Sequence, residues 1–524
     1  MSQPLRSLSI PFAAGLLPLL LGSAVRQAPL YQGGPEPMLS YEAIPDKTDY
    51  LPGERIGLKL RIANSGPEAV ELPDPQHPAA DQPTIALIGP AFPQGRMFNN
   101  LMALREASGN PLLAPPPPPR VRIEPGATWE GFAPITPVVQ VPDPGEYRIR
   151  TLLAYQGAQA TSKEARFQVH PMAPSSVHLG LGVRPFEAAT GEVVFIQHGE
   201  HSAGVYSLRF DETRPDISEM DTEKPIHRAT AGADATDVAA PWRNAPYFNE
   251  LLQWIVWREG RSIKALSSVM SQPLSLDLPM APAYLVQPPL KTTGGPVEVL
   301  AVSHDRREIS LVEFSSGPAG QDPAARVAWT ERLPAEPAAI TATLAPVSRG
   351  STRHVAFTVQ HPWGFEIFHS RYTEAGRLEP FQSVRVEKAR LLGDAPPALF
   401  AGDSGPSMVG VLAVPDNRTH ACTLVEAEFD DSGKPVGPLG LTAFTLEARP
   451  TAGAVLYSQN GAGPVRLDVV IAAEGEGLLH MNRGHLVPVS VQGTPTRPIL
   501  LAPGAQSTFV LYSDPKRGLY FEAL

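Results

Sequence analysis

Two histidines and a glutamate lie within four residues at His198-Gly-Glu-His201, the best metal-like group in the chain. Imidazole nitrogens and a carboxylate so spaced can converge on one cation when a rigid element holds them. The flanking pattern predicts a hairpin turn, which does not align residues three apart, and no second ligand pair is visible. The three side chains are expected to face water from the turn, with no bound metal and no cofactor. Paired acids fare no better as general acid and base: Asp430 and Asp431 adjoin in a turn and point apart.

A nucleophile is equally hard to find. Gly402-Asp-Ser-Gly-Pro406 resembles a shortened form of the nucleophile motif of chymotrypsin-like proteases. It lacks the second glycine that would help build an oxyanion hole, and no His-Cys segment precedes it. It is read as a turn between two strands. Cys422, the single cysteine, falls inside an apolar strand and is expected to be a buried, inert thiol. Asn417-Arg-Thr419 is a formal glycosylation acceptor, relevant only in a eukaryotic secretory pathway. The Asp box of sialidase-like propellers and the Asp-rich calcium loop are both missing.

What remains is a set of polar turns. They carry His198, Glu200, His201, Arg258, Glu259, Arg261, His304, Asp305, Arg306, Arg307, His361, Trp363, Asp416, Arg418, Asp514, Lys516 and Arg517. Seven strongly apolar strands recur along the chain, Val193–Ile196, Leu251–Val256, Val297–Val302, His354–Val359, Met408–Ala413, Leu467–Ile471 and Thr508–Tyr512, and these groups follow all of them but Leu467–Ile471. These strands recur every 40 to 60 residues or so, close to the length of one propeller blade. Behind several turns comes a more alternating strand, such as Glu308–Phe314 or Phe365–Tyr372. A continuous apolar strand followed by an alternating one is what a radial blade requires, because only inner strands are packed between neighbours. The pattern resembles β-propellers as a class, with seven units, although WD and kelch signatures are missing. The seventh unit stops before any fourth strand, so either it has three strands or a segment near Val177 to Val183 closes it. In this architecture the turns share one face, and these side chains would form a binding rim.

The chain before Pro171 has a different texture. Ile56–Ile62 alternates apolar with small or charged residues after the turn Leu51-Pro-Gly-Glu54, and Tyr147–Tyr155 does the same after Asp143-Pro-Gly-Glu146. Tyr147, just past a Pro-Gly turn, resembles the tyrosine corner of immunoglobulin-like sandwiches, whose hydroxyl bonds back to the preceding turn. The run Tyr50-Leu-Pro-Gly-Glu54 leading to Asn64-Ser-Gly66 is similar to the opening of bacterial extracytoplasmic immunoglobulin-like modules, including those like small proteinase-inhibitor sandwiches. That likeness implies a fold and not inhibition. Pro115 to Pro119 cannot join a sheet ladder and is read as a stiff loop.

Bulk properties limit the partners. With 524 residues, 59 Pro and 44 Gly, and 18% charged residues, the composition favours many short strands. A formal net charge of -10 without basic runs excludes a nucleic-acid footprint. Arg6, the apolar run Ile10–Leu21 and the small residues Gly22-Ser-Ala24 form a signal-peptide pattern. No later stretch is long and apolar enough to span a bilayer. The expectation is therefore an all-β protein, secreted or periplasmic. Residues 1–24 would be a signal peptide, 25–39 and 171–176 linkers, 40–170 an immunoglobulin-like β-sandwich and 177–524 a β-propeller, with seven blades. Functionally it is read as a non-enzymatic binding or scaffolding protein for a protein or glycan. A hydrolase or lyase in the central channel is the alternative. No motif encodes an oligomeric state.

Overall fold

The computed structural model describes residues 39–107, 112–134, 141, 143–155, 158–171, 178–183, 190–211, 226–240, 242–244, 251–267, 270, 272–278, 282–286, 296–315, 323–344, 352–372, 377–393, 396–402, 406–416, 418–459, 465–482, 484–489, 496–501, 508–514 and 518–524. The expected signal peptide and most of the first linker lie outside them. The described chain is nearly all β, with one short helix, Asn100–Ala107. It divides into two units, residues 1–171 and 172–524.

In the first unit, Leu39–Pro45, Gly57–Asn64 and Thr128–Pro134 make a three-stranded sheet. A six-stranded sheet is built on Gly145–Tyr155, Thr84–Gly89 and Ala165–Val169. The alternation in Gly57–Asn64 puts Leu58, Leu60 and Ile62 inside and Lys59 and Arg61 outside. Both sheets contribute to one core, where the Tyr147 and Phe167 rings stack with centroids 5.2 Å apart. The Tyr147 hydroxyl donates to the Asp143 carbonyl at 2.8 Å and accepts from the Ala91 amide at 3.2 Å. Its bond back to the preceding turn is the one its position in the sequence predicts.

Among the described residues the second unit is a succession of seven antiparallel sheets, each a meander in chain order. The second is Ala235–Ala239, Leu251–Glu259, Ser262–Ser267 and Leu274–Asp277; the third is Pro282–Val286, Val297–Ser303, Glu308–Ser315 and Ala324–Arg332. The fourth is Ala339–Leu344, Arg353–His361, Gly364–Tyr372 and Gln382–Glu387. In the fifth, Ala389–Leu391 and Ala398–Phe400 precede Ser407–Pro415, Ala421–Phe429 and Gly440–Thr445. The sixth is Pro450–Gln459, Val465–Ala473, Gly477–Asn482 and His485–Val489. The apolar strand of each predicted unit is the second strand of its sheet. Burial falls outward as a radial arrangement demands: in the third sheet Val297–Ser303 is wholly buried, whereas Ala324–Arg332 alternates between exposed and half-buried.

From each sheet to the next, strands in the first position pack against one another. This is propeller-type packing, with the first strands innermost. Among the described residues the seventh sheet has three strands, Thr496–Leu501, Phe509–Asp514 and Gly518–Ala523. The stretch around Val177 to Val183 does not close it: His178–Val183 pairs with Thr190–His198 inside the first sheet. Those residues form the innermost strand of their own sheet.

Candidate functional site

Turns between second and third strands mark one end of every sheet, called here the turn end. A backbone device recurs there. The carbonyls of Arg261, Arg307, Trp363 and His420, each in or beside its turn, accept from the amides of Leu278, Leu333, Lys388 and Leu446, just past the outermost strand. Side chains then reach the next sheet. Arg258 Nη1 donates to the Pro282 carbonyl at 2.7 Å, Arg306 Nη1 to the Pro337 carbonyl at 3.3 Å, and the Leu391 amide to Gln360 Oε1 at 2.8 Å. His420 Nδ1 lies 2.9 Å from the Glu447 carbonyl. Several polar residues at this end therefore hold sheets in register.

The described non-glycine residues with positive φ also gather here: Asp237 at 47°, Arg306 at 55° and Lys388 at 58°. A left-handed conformation costs an L-residue roughly 1–2 kcal/mol, which the surrounding structure must offset. Asp237 occupies a bulge on the innermost strand of the second sheet, where the register shifts between Thr236 and Val238. Its carboxylate lies 3.5 Å from Arg258 Nε, and Arg258 Nη2 also donates to Thr236. Burial lifts the Asp237 carboxyl to about 6 against the pull of Arg258.

A second cluster sits on the turn of the fourth sheet. The Trp363 indole stacks on the His361 imidazole, with centroids 4.7 Å apart and planes 9° from parallel. The Arg385 guanidinium lies over the same indole at 5.6 Å. Glu366 joins the two flanking groups, its Oε2 at 3.3 Å from His361 Nε2 and its Oε1 at 3.6 Å from Arg385 Nε. Ser383 Oγ donates to the same carboxylate at 3.0 Å. Trp363 is nevertheless 39% exposed, the one exposed large aromatic among the described residues. Gly364 lets the chain turn: at φ 152°, an added Cβ would stand 2.0 Å from the Val386 carbonyl oxygen.

The remaining predicted rim residues are dispersed. His198 is half-buried at a strand end; Glu200 and His201 are exposed, with 4.0 Å between Oε1 and Nε2. Arg261, His304 and Arg307 are exposed on their turns. Asp305 holds its own turn, accepting from Ser303 Oγ at 2.6 Å and the Arg307 amide at 3.1 Å, and those bonds keep its carboxyl below the usual range. Asp416 pairs with Arg390 at 3.5 Å, and Arg418 is exposed. Asp514 ends a strand of the seventh sheet, and Lys516 and Arg517 lie outside the described residues, as do residues 403–405 and Asn417. No group of three metal-ligating side chains forms among the described residues. Cys422 is buried, its thiol pushed up to about 12 by desolvation.

Of the predicted residues, then, only His361 and Trp363 come together into a shaped surface. Its other members escape sequence reading for definable reasons. Glu366 occupies an outward position of an alternating strand, but its link to Arg385 depends on cross-strand register, which pairs Glu366 with Arg385. Asp237 is the more visible omission, since it interrupts the otherwise uncharged run Ala235–Ala240.

No family model matches the chain, and no curated protein matches it. Among solved structures, the chain is similar to BBS1N in complex with ARL6DN, at 12% identity and TM-score 0.37, covering 68% of this chain and 93% of that one. It is also similar to the Penicillium chrysogenum alpha-L-arabinanase complexed with arabinobiose: 8% identity, TM-score 0.37, 68% of this chain and 97% of that one. For the Aleuria aurantia lectin bound to alpha-methyl-L-fucoside the values are 10%, 0.32, 56% and 90%. No helix among the described residues is long and apolar enough to cross a membrane.

Proposed function

We propose that this chain is an exported binding protein whose second unit is a seven-bladed propeller that takes a protein or glycan ligand at its turn end. The first unit, an immunoglobulin-like sandwich, serves as spacer or second contact. The observation that carries the reading is Trp363: a large indole left 39% exposed on a turn while an imidazole and a guanidinium hold it in place. Rigid aromatic anchors with polar neighbours gain contact area at low entropic cost, which is why they dominate recognition surfaces. A glycan is the first class to test, because an indole takes the apolar face of a sugar ring while Glu366 and Arg385 can meet its hydroxyls. The labelled protein should bind a defined subset of an oligosaccharide array, and Trp363→Ala should abolish that signal. Retention of the signal in the variant would remove the site. Export rests on residues 1–24, and sequencing the mature N-terminus after expression in a secreting host tests it.

Asp237 favours a second reading, a hydrolase or lyase. A carboxyl held near neutrality on an innermost strand beside an arginine is suited to proton transfer. Hydrolysis or elimination of an array-positive glycan, lost in Asp237→Asn with binding intact, would establish it.

A further inference from the structure

Two histidines are sealed between the fourth and fifth sheets. Cross-strand register sets His354 beside Arg371 and His369 beside Ala356, and on the same face Ala356, Phe365 and Ile367 pack with Val409, Val411 and Phe429 of the fifth sheet. Both imidazoles therefore face the fifth sheet, and both are buried. His354 Nδ1 lies 3.1 Å from His369 Nε2 and 3.1 Å from Ser407 Oγ, and the His369 ring stacks on Phe429 with centroids 4.5 Å apart. A hydrogen bond between two imidazole nitrogens holds one proton, so one of the facing nitrogens must be bare. A first added proton buries a charge in the seam, and a second sets two N–H groups head to head.

The groups around His369 are cationic, apolar or already engaged. On its own sheet stand His354 and the Arg371 guanidinium, which Glu379 holds at 2.6 Å. The fifth sheet presents Ser407 and Phe429, and the link after Phe429 presents Gly433 and the Asp431 carbonyl, to which Arg371 also donates. Asp430 on that link accepts from the Ser432 and Lys434 amides. Among the described residues no carboxylate meets His369, and burial first, then His354 and Arg371, hold its value down at about 3. Two other seams are closed by a carboxylate and its donor: Glu298 with Arg353 between the third and fourth sheets, and Asp468 with Thr508 between the sixth and seventh. We infer that the seam between the fourth and fifth sheets is an acid-operated latch: protons taken up by His369 and His354 part these two sheets while neighbouring seams stay shut. Each proton gained on opening makes the open form roughly tenfold more populated per pH unit of acidification. The latch is independent of Trp363 and its ligand.

Thiol labelling of the full chain tests the latch. In a Cys422→Ala background, Val409→Cys places a buried reporter in this seam, and Val299→Cys places one between the second and third sheets. Dithiodipyridine labels thiols even in acid, and each rate is taken relative to a free thiol at the same pH. The Val409→Cys rate should climb roughly tenfold or more per pH unit from about pH 6 to pH 4, while the Val299→Cys rate stays level. His369→Gln should flatten the climb, and matched thermal midpoints at pH 7 would show that each variant folds. The contrast between the two reporters in the histidine-bearing chain decides the matter even where His369→Gln does not fold. A level Val409→Cys rate, an equal climb at both reporters, or a climb untouched by His369→Gln would overturn the inference.

Discussion

The two ends of the sheets in the second unit treat polar groups in opposite ways. At the end away from the turns, charged and polar side chains are sealed between neighbouring sheets. Arg353 and Glu298 meet at 2.7 Å with side-chain exposures of 1% and 5%, and the guanidinium lies over the Tyr372 ring. His354 Nδ1 lies 3.1 Å from both His369 Nε2 and Ser407 Oγ, joining the fourth sheet to the fifth. Asp468 accepts from Thr508 Oγ1 at 2.7 Å, joining the sixth to the seventh, and also meets Arg466 and His480. Burial works against the Asp468 carboxylate, but these donors outweigh it and hold its carboxyl below the usual range. The turn end instead keeps charge half-open, concentrates left-handed residues and leaves an indole in water. One end is organised for cohesion, whereas the other retains strain and exposed contact groups.

That contrast is easiest to break at its most buried pair. Arg353→Ala should cost about 3–5 kcal/mol in chemical denaturation, because it removes the guanidinium that faces the buried Glu298 carboxylate. Replacing both, Arg353→Met with Glu298→Leu, should recover most of that loss, since the pair's own net contribution is small. If the single variant loses less than the double, the pair is not the element that ties the third sheet to the fourth.

Acid should separate the ends by sign. Burial, then the neighbouring His354 and Arg371, lowers His369 to about 3 from an ordinary 6.5. A histidine depressed on folding stabilises fully above its unfolded value, and that stability drains away as pH falls from about 6.5 towards 3, by a few kcal/mol. His369→Gln should flatten this slope in denaturation midpoints measured across that range. Asp237 runs the other way. Its folded value, about 6, lies above the ordinary 3.8, so its ionised form opposes folding increasingly from about pH 4 to pH 6. Asp237→Asn should therefore stabilise the protein by about 1 kcal/mol at pH 7, after allowing for its partial exposure, and change nothing near pH 3. Destabilisation at pH 7 would make Asp237 a cohesive group like those at the opposite end.

Much of the strand order is legible in the residues themselves, because the second strand of each sheet is packed on both faces and is mostly apolar, as in Val297–Ser303, where Glu298 and Ser303 are the polar exceptions. Tyr147 was legible for a similar reason: a Pro-Gly turn fixes the approach of the next strand. The repeat at the turn end was not legible, because it is made by backbone carbonyls and amides, as between Trp363 and Lys388, which any side chain permits. Nor could residue type separate the rim residues that tie sheets together, such as Arg258, from those left exposed, such as Trp363. Spacing along the chain does not specify which strand end meets the next sheet.

The most direct measurement pairs glycan-array binding with the denaturation midpoint for wild type and Trp363→Ala. An exposed anchor at the turn end predicts that array binding disappears while the midpoint moves by no more than about 0.5 kcal/mol equivalent. Binding that survives the substitution would contradict the account, and so would a collapse in stability, because Trp363 would then belong with the buried groups at the opposite end.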